Sequence, residues 1–180
     1  MSLVRISEKL AVAEQPSPGA FRQFKEDGFT AVINNHPNGE EPHQPGSAAE
    51  KCAAEDAGLG YRFIPVTSPQ ITEADVRAFQ KAVADSPGPV LAHCGSGTRS
   101  LTLYAIGEVL DRRMNPEDIR PFGERFGFDL TVAEQWIARR GEATANRQGL
   151  LRSPDVQRPV CRLRSRHGEM RDHRPGTRFR

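Results

Sequence analysis

The segment that most constrains this chain runs from Pro89 to Leu110. Pro89-Val90-Leu91-Ala92 reads as a buried strand, and Leu101, Leu103, Tyr104, Ile106, Val109 and Leu110 continue as a helix that is apolar over most of its circumference. Between them lies His93-Cys94-Gly95-Ser96-Gly97-Thr98-Arg99-Ser100. A strand, a glycine-bearing loop and a helix N-terminus together make an anion cradle, because the glycines let backbone N–H groups turn inward and the helix dipole adds positive charge. Here the cradle has a thiol at its entrance and a guanidinium at its exit. The groups that hold an oxyanion also hold a thiolate, so the pKa of Cys94 is expected to fall from about 8.5 toward the reactive range. Arg99 offers a planar, two-pronged donor to a tetrahedral oxyanion. Gly95, Ser96, Gly97, Thr98 and Ser100 form the anion-binding loop, and His93 reads as an orienting residue that holds it. A lone cysteine at a strand end is more often a small buried hydrophobe. The combination of His, Cys, two glycines, Arg and Ser favours a nucleophile for a phosphate- or sulfonate-like group.

The rest of the chain supplies a frame for that loop. Val4–Ile6 and Leu10–Val12 read as short strands around a Ser7-Glu8-Lys9 turn. Ser17 with Pro18 opens a helix that Gly28 ends, and Phe29–Asn34 is the next strand. Ser47 with Glu50 has capping-box spacing for a helix ending near Gly58, and Tyr61–Val66 is a strand. Thr72–Asp85 reads as a helix capped by Thr72 with Asp75, and two further helices are expected near Pro116–Phe126 and Leu130–Arg140. This alternation predicts an α/β fold, a mainly parallel sheet with helices on both faces. Ligands of such sheets bind beyond the carboxyl ends of the strands. Asn34, Asn35, His36, Glu40, Glu41 and His43 are therefore expected near Cys94, together with Thr67, Ser68 and Gln70. Asn35, His36, Glu40 and Glu41 are the candidate auxiliary residues. Pro37-Asn38-Gly39 is equally explained as a turn, and the two glutamates as solvated surface. The histidines match no zinc spacing, and neither metal nor cofactor is expected.

A His-Cys…Arg-Ser loop resembles the signature of cysteine-dependent phosphatases. Four residues separate Cys94 from Arg99, however, one fewer than in those enzymes and the same as in rhodanese-like sulfurtransferases. One family joins a phosphatase-like fold to the shorter loop: the phosphatase-like domain of bacterial beta-lactamase hydrolase-like proteins. Residues 3 to 140 resemble it. The resemblance rests on the loop, on Val32-Ile33-Asn34-Asn35-His36-Pro37-Asn38-Gly39-Glu40-Glu41-Pro42, on Gly28-Phe29-Thr30 and on Ile64-Pro65-Val66-Thr67. It departs at His36, where an arginine is usual, at Asn38, where an aspartate is common, and at Gly95, where rhodanese-like loops often carry an arginine. The resemblance implies a cysteine-phosphatase-like fold. It also implies a partner, a separate persulfide dioxygenase or other sulfur acceptor.

Composition adds boundaries. Residues 1–145 hold 15 Lys/Arg against 20 Asp/Glu, a net of −5, whereas residues 146–180 hold 10 Arg against 3 acidic residues, a net of +7. The expected division is a catalytic domain over 1–142 and an Arg-rich, disordered tail over 143–180. With one aromatic, Phe179, the tail lacks a stacking platform, so nucleic acid is not an expected partner. Cys52, Cys94 and Cys161 are an odd, scattered set that implies no disulfide framework, and Cys52 is expected to pack on a helix. No apolar run approaches the ~18 residues of a membrane span, and no signal peptide is evident. A cytoplasmic protein is expected.

Three functions remain open. A cysteine phosphatase needs a general acid for its departing alkoxide, and Thr67-Ser68-Pro69-Gln70-Ile71 carries no carboxylate. A sulfurtransferase expels sulfite or a thiolate and needs no acid. Sulfur transfer through a Cys94 persulfide, from thiosulfate or a persulfide donor, is therefore the leading expectation. The alternative is a phosphatase acting through a phosphocysteine, with Glu40, Glu41 or Asp75 as acid. The third is a non-catalytic anion- or partner-binding module.

Overall fold

The computed structural model describes residues 2–151, and the expected tail from residue 152 on, with Cys161, lies outside them. Five strands form one sheet: β1 (Leu3–Arg5), β2 (Leu10–Ala13), β3 (Ala31–Asn34), β4 (Gly60–Phe63) and β5 (Val90–His93). Their order is β1-β2-β5-β3-β4, with β1 antiparallel to β2 and every other pair parallel. The sheet is α/β and mainly parallel, and β5 lies at its centre. Around it stand α1 (Ala20–Glu26), α2 (Ser47–Asp56), α3 (Glu73–Asp85), α4 (Thr98–Leu110), α5 (Ile119–Phe126) and α6 (Thr131–Leu151).

Side chains alternate across a strand, and the two faces of this sheet carry two cores. Leu10, Val12, Ile33, Val90 and Ala92 face α3, α4, α5 and α6, where Val76, Phe79, Leu101, Ile106, Ile119 and Ala133 are buried. Ala11, Val32 and Leu91 face the other way, against Phe21 and Phe24 of α1 and Ala54 of α2. Helix α4 is buried along most of its length, as its all-round apolar sequence requires. The register brings Ala13 beside His93, His93 beside Asn34 and Asn34 beside Phe63, so four parallel strands end along one line.

Several boundaries differ from the sequence expectation. Helix α1 begins at Ala20 behind Gly19, because Ser17 closes a turn through its carbonyl instead of capping with its hydroxyl. Strand β4 ends at Phe63, although the Ile64 and Val66 N–H groups still donate to the Asn34 and Asn35 carbonyls at 2.9 and 3.2 Å. A short 3-10 turn, Pro116–Asp118, precedes α5. Helix α6 continues past Arg140 to Leu151, where the polar sequence gave no reason to extend it. Thr72 caps α3 in the expected box, donating its backbone N–H to Asp75 and accepting from the Asp75 N–H. Among the described residues, no helix is long and apolar enough to cross a membrane.

Candidate active site

Cys94 is the first residue after the central strand, and its side chain is fully buried. The Gly97 N–H donates to Cys94 Sγ across 3.1 Å. Gly97 is the residue before α4 and has φ +89°. A Cβ there would stand 3.2 Å from the Phe128 ring and 3.3 Å from the Ala13 carbonyl oxygen, so both backbone conformation and space require glycine. The loop is tied to β2 as well, because the Gln15 N–H donates to the Gly95 carbonyl at 3.3 Å. Thiol, inward N–H and helix N-terminus thus converge as the strand–loop–helix sequence predicts.

Arg99 lies on the first turn of α4. Its Nη1 and Nη2 donate to Glu40 Oε1 and Oε2 at 3.0 and 2.6 Å, and Nη1 also donates to the Val66 carbonyl at 3.0 Å. A guanidinium has five N–H donors in a fixed plane. Glu40 and Val66 thus take the Nη1/Nη2 end and one flank and leave the Nε/Nη2 edge to neither of them, and the guanidinium also bonds the Cys94 sulfur. Burial weighs against the Arg99 charge, but Glu40 and the Cys94 sulfur outweigh it and raise its pKa. In return, the hydrogen bonds from Arg99 hold the Glu40 carboxyl below the usual carboxylate range. Glu40 is therefore committed to Arg99 as a base and not available as an acid.

The loop after β3 closes over the cradle. Buried Asn35 accepts a hydrogen bond from Ser100 Oγ at 2.9 Å and donates to the Ile64 carbonyl at 2.8 Å, joining α4 to the segment after β4. Its backbone N–H donates to the His93 carbonyl at 2.8 Å. His36 is buried, with Nδ1 2.8 Å from Gln15 Oε1 and Nε2 3.0 Å from Glu40 Oε2. Exposed Glu41 reaches back to the loop: a Cβ on Gly95 would lie 3.3 Å from Glu41 Oε1 and 3.6 Å from His36 Nε2. A side chain at position 95 would therefore press on the Glu41 carboxylate and touch the His36 ring, so Gly95 keeps this part of the loop close to both.

Behind His93 stands a residue whose part the sequence did not reveal. Glu50 is fully buried and its carboxylate accepts from Gln15 Nε2 at 2.6 Å, from Asn34 Nδ2 and from the Tyr61 hydroxyl at 3.1 Å. His93 Nε2 lies 3.2 Å from the same carboxylate. Burial alone would raise the Glu50 pKa, yet these partners overcome it and hold it below the usual range. The buried Tyr61 hydroxyl is pushed up beyond its ordinary pKa, chiefly by burial. Glu50 thus does not form the expected capping box with Ser47; Asn38 meets the helix N-terminus instead, accepting from the Ser47 N–H at 2.8 Å.

Of the expected site residues, the structure gathers His93, Cys94, Gly95, Gly97, Arg99, Ser100, Asn35, His36, Glu40 and Glu41. Ser96 and Thr98 pair with each other at the exposed rim, 3.0 Å apart. Asp75 is engaged at the cap of α3, and His43 is exposed. Cys52, expected to pack, is also exposed. Among the described residues, no group of three or more His, Cys, Asp or Glu side chains is set to hold a metal ion.

A buried cysteine and an arginine bracketing a helix-capped loop, at the carboxyl edge of a five-stranded parallel-type sheet, define the cysteine-phosphatase fold. Solved structures agree. The chain matches a candidate phosphatase from Neisseria meningitidis with a TM-score of 0.68 and 29% identity, over 75% of this chain and 95% of that one. PTPMT1 shares the fold at 16% identity with a TM-score of 0.56, over 81% of this chain and 99% of its own. Residues 2–111 match the family described as beta-lactamase hydrolase-like protein, phosphatase-like domain, and the chain belongs to that family. It is 52% identical to the beta-lactamase hydrolase-like protein of Agrobacterium fabrum over 143 residues, which are 79% of this chain and 33% of that protein. A Xylella fastidiosa protein of the same description is 47% identical over 151 residues, 84% of this chain and 35% of its own length. The chain thus spans about a third of the length of these relatives. Fold and family make it a cysteine-based enzyme.

Proposed function

We propose that this domain is a cysteine-dependent phosphatase that hydrolyses phosphate monoesters through a phosphocysteine. The observation that carries the reading is the pairing of Cys94 Sγ, held by the Gly97 N–H, with Arg99, whose Nε/Nη2 edge neither Glu40 nor the Val66 carbonyl takes. Sulfur attacks phosphorus, a P–S bond forms and the ester P–O bond breaks. Arg99 and the inward N–H groups take the charge that builds on the phosphoryl oxygens. The leaving oxygen needs a proton. Glu40 is held by Arg99 and Asp75 by Thr72, so Glu41, exposed and directed at Gly95, is the carboxyl that supplies it. Water then attacks phosphorus, gives its proton to Glu41, and Cys94 leaves as the thiolate.

Family and fold support this reading better than the sulfur transfer that the loop suggested first. Sulfur transfer keeps one specific support, the four residues between Cys94 and Arg99, and stands as the second reading. One set of assays separates them. The purified chain should release phosphate from aryl and alkyl phosphates, and Cys94→Ser should abolish both. Glu41→Gln should slow the alkyl ester about 10²-fold and the aryl ester, whose leaving group departs unprotonated, far less. A gain of one sulfur atom on Cys94 after thiosulfate, removable by cyanide, with neither phosphate hydrolysed, overturns the phosphatase in favour of the sulfurtransferase.

A further inference from the structure

The polar side chains around the cradle form one continuous chain. It runs from His93 Nε2 to Glu50 at 3.2 Å, from Glu50 Oε1 to Gln15 Nε2 at 2.6 Å, and from Gln15 Oε1 to His36 Nδ1 at 2.8 Å. It continues from His36 Nε2 to Glu40 Oε2 at 3.0 Å and ends on Arg99. The two ends of the loop are therefore linked through residues outside it.

The donors and acceptors along this chain fix where one proton must be. Gln15 Nε2 faces two acceptors, the Glu50 carboxylate and the Pro16 carbonyl at 3.2 Å, so its amide has one allowed orientation. Its Oε1 consequently faces His36, and His36 Nδ1 must carry a hydrogen. In a neutral ring Nε2 would then be a bare lone pair. That atom is buried, has no aligned hydrogen bond, and lies 3.0 Å from Glu40 Oε2, an acceptor already engaged by Arg99 Nη2. Two lone pairs at 3.0 Å repel; a proton on Nε2 turns the contact into an ion pair.

We infer that His36 is a doubly protonated positioning residue for Arg99: its imidazolium, aligned by Gln15, holds Glu40 where the glutamate can grip the guanidinium. The inference rests on the phosphatase reading only in taking an oxyanion as the ligand of Arg99. Loss of the proton turns Nε2 against Glu40, loosens the grip and lets the anion-binding edge of Arg99 turn away. Around His36, Glu40 and Glu41 on its own loop favour the proton, whereas burial, Arg99 on α4 and His93 at the end of β5 oppose it. Burial is the largest of these and draws the His36 pKa below its ordinary value, so the gripping state belongs to mildly acidic solution.

Sulfate is the probe of choice, because its charge does not change across the imidazole range and any pH dependence belongs to the protein. Binding is measured by calorimetry on the full chain carrying Cys94→Ser, which removes the reactive thiol. Sulfate affinity should fall about tenfold or more between about pH 5 and about pH 8. Adding His36→Asn should give weak binding at every pH. Adding His36→Arg, a cation that does not titrate, should restore the acid-side affinity and flatten the profile. Nitrogen NMR of the imidazole rings gives a readout free of any variant: both His36 nitrogens should carry hydrogens at acid pH, and Nε2 should lose its hydrogen in step with sulfate affinity. A flat sulfate profile with His36 present, or a His36 Nε2 that never carries a hydrogen while sulfate binds, overturns the inference. Neither measurement depends on turnover, so a chain that binds sulfate as described but hydrolyses no phosphate ester would sink the phosphatase reading alone.

Discussion

Arg99 shows how one side chain can serve two partners without compromise. Glu40 and the Val66 carbonyl take its end and one flank, and the other flank stays clear of both and beside the nucleophile it serves. Lysine would keep the charge but has a single ammonium and no flank, so it cannot be gripped from behind and still present two parallel donors. Arg99→Lys should therefore lower kcat/KM for aryl phosphate about 10²-fold or more, with little change in thermal stability. Wild-type kcat/KM in that variant would reject the two-pronged role. At this scale the sequence was most informative: Cys94, Arg99 and the two loop glycines could be named from spacing alone. Glu50 and Gln15 could not. Glu50 sits three residues after Ser47, the spacing of a capping box, and nothing local distinguishes a glutamate that folds back on its own helix from one that faces inward. Gln15 follows a strand end and carries no motif. Its importance comes from the register that sets Ala13 beside His93.

At the scale of elements, the site depends on joints between them. Asn35 is the joint that matters most. It binds α4 through Ser100, the segment after β4 through Ile64 and β5 through its own backbone. Asn35→Ala leaves the buried Ser100 hydroxyl and the half-buried Ile64 carbonyl without this partner, a loss of about 1–3 kcal/mol. Ser100→Ala removes one bond and leaves only the Asn35 oxygen short, so it should be the milder change. If the joint works as a unit, the double variant should lose less than the two single losses added together, measured by denaturant unfolding. Simple additivity would mean that the three elements are held independently. The helices and strands themselves were largely legible, because apolar period and capping chemistry are local. Thr72 with Asp75 marks the start of α3 in sequence and in structure alike. Where the sequence misled, a nonlocal partner decided. Helix α2 starts at Ser47 behind Gly46, which has φ +84°, and Asn38 from the preceding loop meets its first N–H.

For the molecule as a whole, the consequence of gathering these groups at one sheet edge is a fold sensitive to acid. Three loops converge there because β2, β5 and β3 are parallel and end in line, and each brings polar groups that must be satisfied away from water. The ionised Glu50 accepts from three donors beneath the loop, and its folded pKa lies below its ordinary value. A depressed carboxyl pKa contributes stability that is present above the unfolded value, about 4.3, and is lost as pH falls through the folded value. His36 has a depressed pKa as well, chiefly from burial. The folded chain resists its protonation, so stability that is full above the ordinary imidazole value of about 6.5 declines below it. The melting temperature should hold level above about pH 6.5 and fall in two stages on acidification, the first from His36 and the second from Glu50. His36→Asn should erase the first stage. Glu50→Gln should melt lower at neutral pH, because a neutral amide is a poorer acceptor for buried donors, yet should lose less than the wild type on going below about pH 4. A Glu50→Gln protein whose melting temperature runs parallel to the wild type at every pH would mean that Glu50 is not charged in the fold, and the account of the buried cluster would fail with it.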